Sequence, residues 1–586
     1  MTSTAELGAW VEGQTVTAWF RDAVLDIPDS VALRAKGPDG SWAELTWADV
    51  ASQASRIAAA FGRLGVRPGD RVLLFVRNRP EFHVADLAAL LARATPVSVY
   101  NSSAAEQIGY LAQHSGARVV VVDDLEFLGR VQAVRPSLPD LHAVVVLDDP
   151  DARRPADVHL WADLLADPGA APADIDEAVR DARGDDLVTV IYTSGTTGNP
   201  KGVMLDHSNV AWQVAGYTEL IGSIEPGLRS VSYLPMAHVA ERMVTHYGWL
   251  WQRSTVTCCP DLTQLGAYLA AVHPHNLFGP PRVWEKLRSG ILAAVAAKGP
   301  QAEAQFARAL AVGAKVPEVD AAFAPVRAMV GLDQLRYAFS GAAPLPVAVF
   351  GFFQSLGLPF SEIYGMSENC GGMTWTPYDA VAGTVGRPYP GAQVVLDRDG
   401  EVLCRGGMVS RGYLDDPEQT AETFDSEGWL HTGDIGQFDP DGNLRIVDRK
   451  KELIITAGGK NVSPANLEAL LKAHPLIGQA AVVGDGRPYL VALLVLDSDV
   501  VPAWAAAHDL GDKPLAELVD EPTVLAEVER AVAEANSHVS NVEHVRRWAL
   551  LAEEWLPDSE ILTATMKLKR RGVLAAYGPV IDGLYS

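Results

Sequence analysis

Residues 192–202 read Tyr192-Thr193-Ser194-Gly195-Thr196-Thr197-Gly198-Asn199-Pro200-Lys201-Gly202, directly after an apolar segment at 187–191 that predicts a buried strand. Four hydroxyl side chains, three glycines and one lysine follow Tyr192 within ten residues. This composition suits the binding of a polyphosphate by backbone N–H groups, hydroxyls and one cation, because glycine lets the backbone approach the anion closely. A Walker A motif would have Ser or Thr directly after Gly-Lys, whereas Lys201 lies between Pro200 and Gly202. The loop therefore indicates nucleotide chemistry of another kind.

Length and charge limit the classes of protein to consider. The chain has 586 residues, too many for one ordinary core, so we expect at least two domains. The formal net charge is −25, and a surface of that sign repels nucleic acid and anionic lipid. We therefore expect no nucleic-acid partner, whereas ATP needs only a local positive site.

The four cysteines, Cys258, Cys259, Cys370 and Cys404, indicate a reducing compartment. Two of them are adjacent and no Cys-x-x-Cys occurs, which argues against a disulfide framework and against a zinc site. The first ten residues lack the basic region of a secretory signal, and no apolar run approaches the length of a membrane span. We expect a cytoplasmic protein, for which peripheral contact with a membrane stays open.

Helix and strand patterns alternate in the first part of the chain. Apolar residues at helical spacing predict helices at 48–64 and 80–94, and apolar runs predict strands at 71–76 and 119–122. This alternation predicts a layered α/β architecture with largely parallel sheets. The Ala-rich segment 287–330 is expected to form surface helices.

The domain boundary is predicted at Asp448-Arg449-Lys450-Lys451. Asp439-Pro440-Asp441-Gly442-Asn443 predicts a hairpin turn before it, followed by a short strand at 444–447. After it, a strand-like segment at 453–456, a helix beginning at Pro464 and strands at 480–483 and 490–496 predict a small α+β domain. We therefore expect a large N-terminal α/β body at 1–447, a hinge at 448–451 and a small C-terminal domain at 452–586.

Two later motifs carry groups that suit a nucleotide. Ser361-Glu362-Ile363-Tyr364-Gly365-Met366-Ser367-Glu368-Asn369 sets an aromatic ring and a carboxylate beside a glycine turn, and Mg²⁺ prefers such oxygen ligands together with substrate phosphates. Gly428-Trp429-Leu430-His431-Thr432-Gly433-Asp434 ends in a carboxylate that can accept hydrogen bonds from both ribose hydroxyls. Taken alone, either motif also fits an ordinary surface turn. His431 has no zinc-ligand partner at a usable spacing, so a structural role is expected for it.

Two basic runs complete the set of motifs. Asp448-Arg449-Lys450-Lys451-Glu452 precedes Gly458-Gly459-Lys460-Asn461-Val462, and Leu562-Thr563-Ala564-Thr565-Met566-Lys567-Leu568-Lys569-Arg570-Arg571 lies near the C-terminus. Most runs of this kind are solvated faces, so their meaning depends on the other motifs.

Together these segments closely resemble the adenylate-forming superfamily, which comprises acyl-CoA synthetases, luciferases and nonribosomal peptide adenylation domains. The resemblance extends from about Trp42 to Tyr577. It implies that the 193–201 loop binds the β- and γ-phosphates of ATP, and that Ser340-Gly341-Ala342-Ala343-Pro344-Leu345 lines the adenine and acyl pockets. The ATP- and AMP-binding residues that it implies are Thr193, Ser194, Gly195, Thr196, Thr197, Gly198, Lys201, Gly341, Ala342, Tyr364, Gly365, Met366, Ser367, Asp434, Arg449 and Lys567.

Within that set, the resemblance implies particular roles. Tyr364 stacks on adenine, and Asp434 and Arg449 contact the ribose. Glu368 binds Mg²⁺, with Thr196 as a second ligand. The implied catalytic residues are Lys567, Glu368, Thr196 and His238.

The same resemblance implies roles for the C-terminal segments. Lys567 is expected to stabilise the charge that develops as a carboxylate attacks the α-phosphate. Lys569 is the alternative, since Met566 replaces the usual glycine before the lysine. Lys451 is the expected pivot of a mobile C-terminal domain. Gly458 and Gly459 are expected to face the pantetheine of CoA after that domain rotates.

Two more segments narrow the branch of the family. Two segments resemble those of the long-chain acyl-CoA synthetases, in which His238 would border the acyl-adenylate: Leu234-Pro235-Met236-Ala237-His238-Val239-Ala240-Glu241-Arg242 and Gly279-Pro280-Pro281-Arg282-Val283-Trp284-Glu285-Lys286. The bubblegum-like branch is indicated by Tyr364-Gly365-Met366-Ser367-Glu368 and Thr456-Ala457-Gly458-Gly459-Lys460-Asn461. The expected reaction is ATP-dependent activation of a medium- or long-chain fatty acid, followed by transfer to CoA. A carrier protein acting in trans as acceptor and an aryl or polyketide-type acid as substrate remain open. A simple ATPase or phosphotransferase and a non-catalytic lipid-binding homologue are disfavoured by the motifs.

Overall fold

The computed structural model describes residues 3–37, 39–167, 171–193, 199–222, 225–457, 461–511, 513–556, 559–563 and 567–586. Within these ranges a large α/β body precedes a smaller α+β domain, and the predicted fold class is confirmed. No helix in the described ranges is both long and apolar enough to cross a membrane.

The first sheet of the body is wholly parallel. Its five strands lie in the order Thr95–Ser98, Arg71–Phe75, Ala117–Val122, Ala143–Val146 and Val158–Leu160. Alternate residues pack on opposite faces: Val119 and Val121 join the core beneath the helix Trp47–Arg63, whereas Val120 and Val122 join a second core. Burial of both faces explains why the predicted strand at 119–122 is an unbroken apolar run.

The helices that flank this sheet begin where local sequence signals indicate. Helix Trp47–Arg63 starts at a capping box between Thr46 and Asp49 and buries its apolar stripe, which includes Ile57 and Phe61. Helix Pro80–Leu91 starts with proline at its first position. The predicted helical segment 287–330 is also confirmed, as parts of three helices at Pro281–Ala296, Pro300–Val312 and Pro317–Met329.

Two further sheets of the body are mixed. One has the strand order Arg229–Ser232, Thr255–Cys258, Val31–Lys36 and Trp42–Thr46, and the other has the order Asn276–Gly279, Tyr337–Ser340, Phe360–Tyr364 and Thr374–Trp375. In each sheet the first three strands are parallel and the last is antiparallel.

Two antiparallel elements bear on the site. Strands Leu187–Thr193 and Lys201–Asp206 pair directly, so the Gly- and Thr-rich loop joins a hairpin, of which residues 194–198 lie outside the described part of the chain. A four-stranded sheet has the order Gln393–Leu396, Glu401–Arg405, Leu430–Phe438 and Leu444–Arg449. Its last turn contains Gly442 at φ +82°, which confirms the hairpin predicted at 439–443.

The C-terminal domain surrounds a sheet of three strands, Ile477–Val483, Leu490–Leu496 and Val545–Leu551. The central strand is buried on both faces, since Leu490, Ala492 and Leu494 belong to one core and Val491 and Leu493 to another. A short pair, Ile454–Ile455 with Asn461–Val462, lies at the start of the domain. Its helices are Pro464–Lys472, Val501–Ala507, Leu515–Leu518, Pro522–Ser537 and Arg570–Gly583.

The other helices of the body cover its sheets and line its clefts. They are Thr4–Val11, Val16–Asp26, Ala105–Ser115, Leu125–Val134, Trp161–Ala166, Ile175–Asp181, His207–Ile221, Val239–Glu241, Gly248–Gln252, Leu265–Val272, Val347–Ser355 and Pro417–Thr423. A π-helical segment, Arg242–Tyr247, joins two of these helices end to end.

Candidate active site

A large open cleft of about 2560 Å³ lies where the body meets the C-terminal domain. Residues of both domains line it, and they come from seven of the sequence segments quoted above. The predicted residues among them are Thr193, Lys201, His238, Ala342, Tyr364, Gly365, Met366, Ser367, Glu368, Asp434, Arg449, Lys451 and Lys567.

Three of the predicted nucleotide-binding residues contact one another. Asp434 and Arg449 are directly opposite each other on adjacent antiparallel strands, and Arg449 Nε lies 3.2 Å from Asp434 Oδ1. The Tyr364 hydroxyl donates a hydrogen bond to Asp434 Oδ2 at 2.6 Å. Asp434 raises the pKa of Arg449, so the guanidinium stays charged. The arrangement leaves an aromatic ring, a carboxylate and a cation at one end of the cleft.

Glu368 is fixed by a residue that the sequence analysis did not identify. It lies in a 3₁₀ turn, Ser367–Asn369, just after the strand Phe360–Tyr364, and the Tyr413 hydroxyl donates to Glu368 Oε1 at 2.8 Å. The Lys201 ammonium is 5.1 Å from the centroid of the Tyr413 ring, within the range of a cation–π contact. Desolvation lowers the pKa of Lys201, while the nearby Glu368 carboxylate acts in the opposite direction. Tyr413 thus links the carboxylate to the lysine of the phosphate loop.

Glu368 is also the carboxylate best suited to a metal ion. The part of the chain that is described contains no group of three or more His, Cys, Asp and Glu side chains arranged around a metal. One carboxylate is nevertheless a normal protein contribution to Mg²⁺, which takes its other ligands from water and substrate phosphates. Among the described residues, Tyr413 donates to Oε1, so Oε2 is the oxygen of Glu368 that could serve this purpose.

Close backbone approach shapes the wall next to Tyr364. A Cβ atom at Gly341 would lie 2.9 Å from Ile363 Cγ2, and one at Gly365 would overlap the Gly371 carbonyl. Ala342 has φ +70°, in the left-handed region that non-glycine residues seldom adopt. Such strain persists only where the surroundings hold the backbone in place, and it occurs preferentially at functional sites.

Lys567 reaches this cleft from the C-terminal domain. Its backbone N–H donates to Thr563 Oγ1 at 2.9 Å, and its carbonyl accepts from the Thr563 N–H at 2.8 Å. The side chain stays accessible to solvent inside the cleft. Desolvation by the surrounding walls and the charge of Arg449 lower the pKa of Lys567. Lys569, the alternative candidate, donates instead to the Ser559 carbonyl at 2.8 Å.

His238 lies at the start of the helix Val239–Glu241 with a defined tautomer. Its Nδ1 accepts the Ala240 N–H at 3.2 Å, which leaves Nε2 as the N–H donor of a neutral ring. Burial lowers the pKa of His238 to about 4, and the positive charge of Lys567 acts in the same direction. The imidazole is therefore uncharged near neutral pH.

Some predicted residues cannot be located and one unpredicted carboxyl stands out. The predicted residues outside the described ranges are Ser194, Gly195, Thr196, Thr197, Gly198, Gly458 and Gly459.

Glu362 lines the cleft, is buried, and has no hydrogen-bond partner for Oε1 within the described ranges. Burial raises the pKa of Glu362 to about 8. Glu362 lies two residues before Tyr364 in the same motif, and this position is the signal by which the sequence could have identified it as a site residue.

The comparisons with known proteins agree with this geometry. The AMP-binding enzyme family matches residues 20–414, and the family described as AMP-binding enzyme C-terminal domain matches residues 451–586. The chain is 35% identical to the long-chain-fatty-acid–CoA ligase FadD15 of Mycobacterium bovis, over 98% of this chain and 98% of that protein. It is 31% identical to the long-chain-fatty-acid–CoA ligase ACSBG1 of Rattus norvegicus, over 97% of this chain and 85% of that protein.

A solved structure extends the agreement to the whole architecture. The adenylation domain of the carboxylic acid reductase of Segniliparus rugosus, in complex with AMP and a co-purified carboxylic acid, aligns with a TM-score of 0.77 at 21% identity. The alignment covers 98% of this chain and 94% of that chain. The resemblance predicted from the motifs is confirmed, and the chain belongs to the AMP-binding enzyme family.

Proposed function

We propose that the protein is an ATP-dependent ligase that activates a medium- or long-chain fatty acid and transfers it to CoA. One observation carries the proposal: Lys567 of the C-terminal domain lines the same cleft as Glu368 and Asp434 of the body. The names of the relatives FadD15 and ACSBG1 support a fatty acid as the substrate.

In the first half-reaction a carboxylate oxygen of the acid attacks the α-phosphorus of ATP. The new oxygen–phosphorus bond forms as the bond to the bridging oxygen of the β-phosphate breaks, which yields acyl-AMP and pyrophosphate. The protein positions the reactants and stabilises the negative charge that spreads over the phosphoryl oxygens. Lys567 supplies positive charge at the α-phosphate, and Lys201 supplies it at the departing pyrophosphate.

Other residues hold the nucleotide and the acid in place. Tyr364 stacks on the adenine while Asp434 and Arg449 bind the ribose. Glu368 would hold Mg²⁺, which would supply positive charge toward the leaving group. The neutral His238 ring borders the carboxylate and offers it the Nε2 N–H. The loop residues Thr193, Ser194, Gly195, Thr196, Thr197 and Gly198 complete the phosphate site in this proposal.

The second half-reaction requires the C-terminal domain to rotate about Lys451. On one side of this residue, Lys450 is anchored to the body, with its ammonium 2.6 Å from Asp399 and 2.9 Å from Glu401. On the other side, Glu452 pairs with Arg570 of the C-terminal domain at 3.1 Å. The backbone between two anchored residues is the natural pivot, and residues 448–451 form the hinge between domains at 1–447 and 452–586.

Rotation withdraws Lys567 and brings Gly458 and Gly459 to the pantetheine of CoA. The CoA sulfur attacks the acyl carbonyl carbon, a carbon–sulfur bond forms, the bond to the AMP oxygen breaks, and the thiol proton is released.

We propose a cytoplasmic location, which the four free cysteines support. Contact with a membrane surface would give access to fatty substrates.

The decisive test is Lys567→Ala, assayed separately for the two half-reactions. Loss of a preorganised charge should lower acyl-AMP formation by ~10²-fold or more, while CoA transfer from supplied acyl-AMP should largely persist. Lys569→Ala is the matched control and should retain acyl-AMP formation. Equal losses in both half-reactions of Lys567→Ala would refute the lysine assignment.

The pH profile and the acceptor provide two more readouts. Because the pKa of Lys567 is lowered, acyl-AMP formation should decline with rising pH as the lysine loses its proton. Lys567→Arg should shift that decline to higher pH, since a guanidinium keeps its charge.

A panel of fatty, aryl and branched acids tests the substrate class. Pyrophosphate release without thioester formation on CoA would favour a carrier protein as acceptor.

A further inference from the structure

The cleft has an apolar arm that leads away from the nucleotide residues between two helical segments. One is the helix His207–Ile221, which contributes Val214 and Tyr217. The other is the continuous helical run 239–252, which contributes Val239, Val244 and Trp251. This arm, which we call the acyl channel, is formed by the body.

Each segment has a residue near the chemical end of the cleft. The 239–252 run starts beside His238. On the other helix, the Gln213 side-chain amide donates to the carbonyls of Asn369 and Gly372, just after Glu368, at 2.8 and 2.5 Å. A helix rises about 1.5 Å per residue, so Trp251 lies on the order of 20 Å along the run from His238. Tyr217 lies one turn beyond Gln213. The direction of the channel is therefore from His238 toward Tyr217 and Trp251.

Two hydrogen bonds join the helical segments at the far end. Gln252 Nε2 donates to the Tyr217 hydroxyl at 3.3 Å, and Trp251 Nε1 donates to Thr218 Oγ1 at 3.1 Å. The Tyr217 ring is itself held, because it stacks on Trp375 with centroids 5.6 Å apart and an interplanar angle of 11°. These contacts hold the Tyr217 ring and join the two helical segments where both line the cleft.

We propose that Tyr217, braced by Gln252, forms the floor of the acyl channel and sets the longest chain that the enzyme activates efficiently. This inference rests on the proposed function. A chain that reaches the floor can extend only by displacing the Tyr217 ring and separating its hydroxyl from Gln252. Buried polar groups that lose their partner oppose such a displacement, whereas each methylene up to the floor gains contact with apolar walls. Efficiency should rise with chain length and then drop sharply.

The test uses Tyr217→Ala, Gln252→Ala and Tyr217→Phe with octanoate, dodecanoate, hexadecanoate and eicosanoate. Pyrophosphate release gives kcat/KM for each acid. Both alanine variants remove part of the floor from opposite helices, so each should raise the ratio of the eicosanoate to the octanoate value, Tyr217→Ala by about tenfold or more. Tyr217→Phe keeps the ring and should shift the ratio less than Tyr217→Ala does.

The outcomes separate this proposal from the function on which it rests. If the unaltered protein releases pyrophosphate with none of the acids, the proposed function fails. If the unaltered protein is active and the ratio is unmoved in both alanine variants, the floor assignment alone is overturned. The assignment is also wrong if Tyr217→Phe and Tyr217→Ala shift the ratio equally, since ring volume then does not end the channel.

Discussion

The body and the C-terminal domain hold their parts of the candidate site in different ways. On the body, Asp434 bonds to both Tyr364 and Arg449, and Glu368 bonds to Tyr413. The Tyr364–Asp434 and Glu368–Tyr413 contacts lie wholly within the body, whereas Arg449 belongs to the hinge. The position of Lys567 in the cleft depends instead on how the two domains are oriented. Under the proposed function, the nucleotide half of the site is preformed in the body, while Lys567 is brought in by docking of the C-terminal domain.

Two ion pairs across the domain boundary hold the docked orientation. Arg282 pairs with Asp497, and Lys286 Nζ lies 2.6 Å from Asp499 Oδ2. Both cations lie on the helix Pro281–Ala296, in a segment that the sequence comparison associated with the long-chain branch. The Lys286–Asp499 pair suits a reversible movement, because an exposed ion pair contributes only about 0–1 kcal/mol, whereas Asp497 of the other pair is buried. Because the body and the C-terminal domain hold their parts of the site differently, mutations in each should affect the two half-reactions differently.

Asp434→Ala should have the largest effect on both steps, because it removes the centre of the preformed half. Arg449 and Tyr364 both lose their partner, and AMP must be held in each half-reaction. Loss of a charge-assisted contact of this kind should cost about 2–3 kcal/mol, or roughly 30–160-fold in each half-reaction. The two rates are measured separately, with acyl-AMP supplied for the second. Asp441→Ala, in an exposed turn, is the control. A loss confined to acyl-AMP formation would contradict the comparison.

The sequence predicted those parts of the site that are formed by short motifs of neighbouring residues. Apolar runs and helical spacing predicted several of the body's strands and helices, because such patterns reflect burial directly. Tyr413 could not be predicted, since it lies 45 residues from Glu368 in the chain and no motif marks it. The Arg282–Asp497 pair spans 215 residues, and only the docking of two domains brings it together. Predictions for residues 194–198, 458 and 459 stay predictions.

Lys451→Pro, at the hinge, should affect the two half-reactions differently. Proline fixes its own φ and restricts the residue before it, so it should hinder a rotation that changes the backbone at this position. We expect acyl-AMP to form and accumulate while thioester formation falls by about tenfold or more, a barrier of ~1.4 kcal/mol. Quenched-flow measurement of both products tests this. Lys451→Ala keeps the backbone free and is the control. An unchanged overall rate in the proline variant would remove the hinge from the proposal.

Arg282→Ala should have the smallest effect and is the most direct test of docking. The Asp497 side chain is only 2% exposed, and its Oδ1 still accepts from the Asp499 and Val500 N–H groups, so loss of the Arg282 contact should destabilise the docked orientation by about 1 kcal/mol. Acyl-AMP formation should then fall about fivefold, while CoA transfer from supplied acyl-AMP should stay level or rise. Lys286→Ala is the matched control on the same helix. Its pair is 59% and 61% exposed, and its loss should change either rate by less than about twofold. If Arg282→Ala slowed transfer as much as activation, the pair would support the fold as a whole and would not select the docked state.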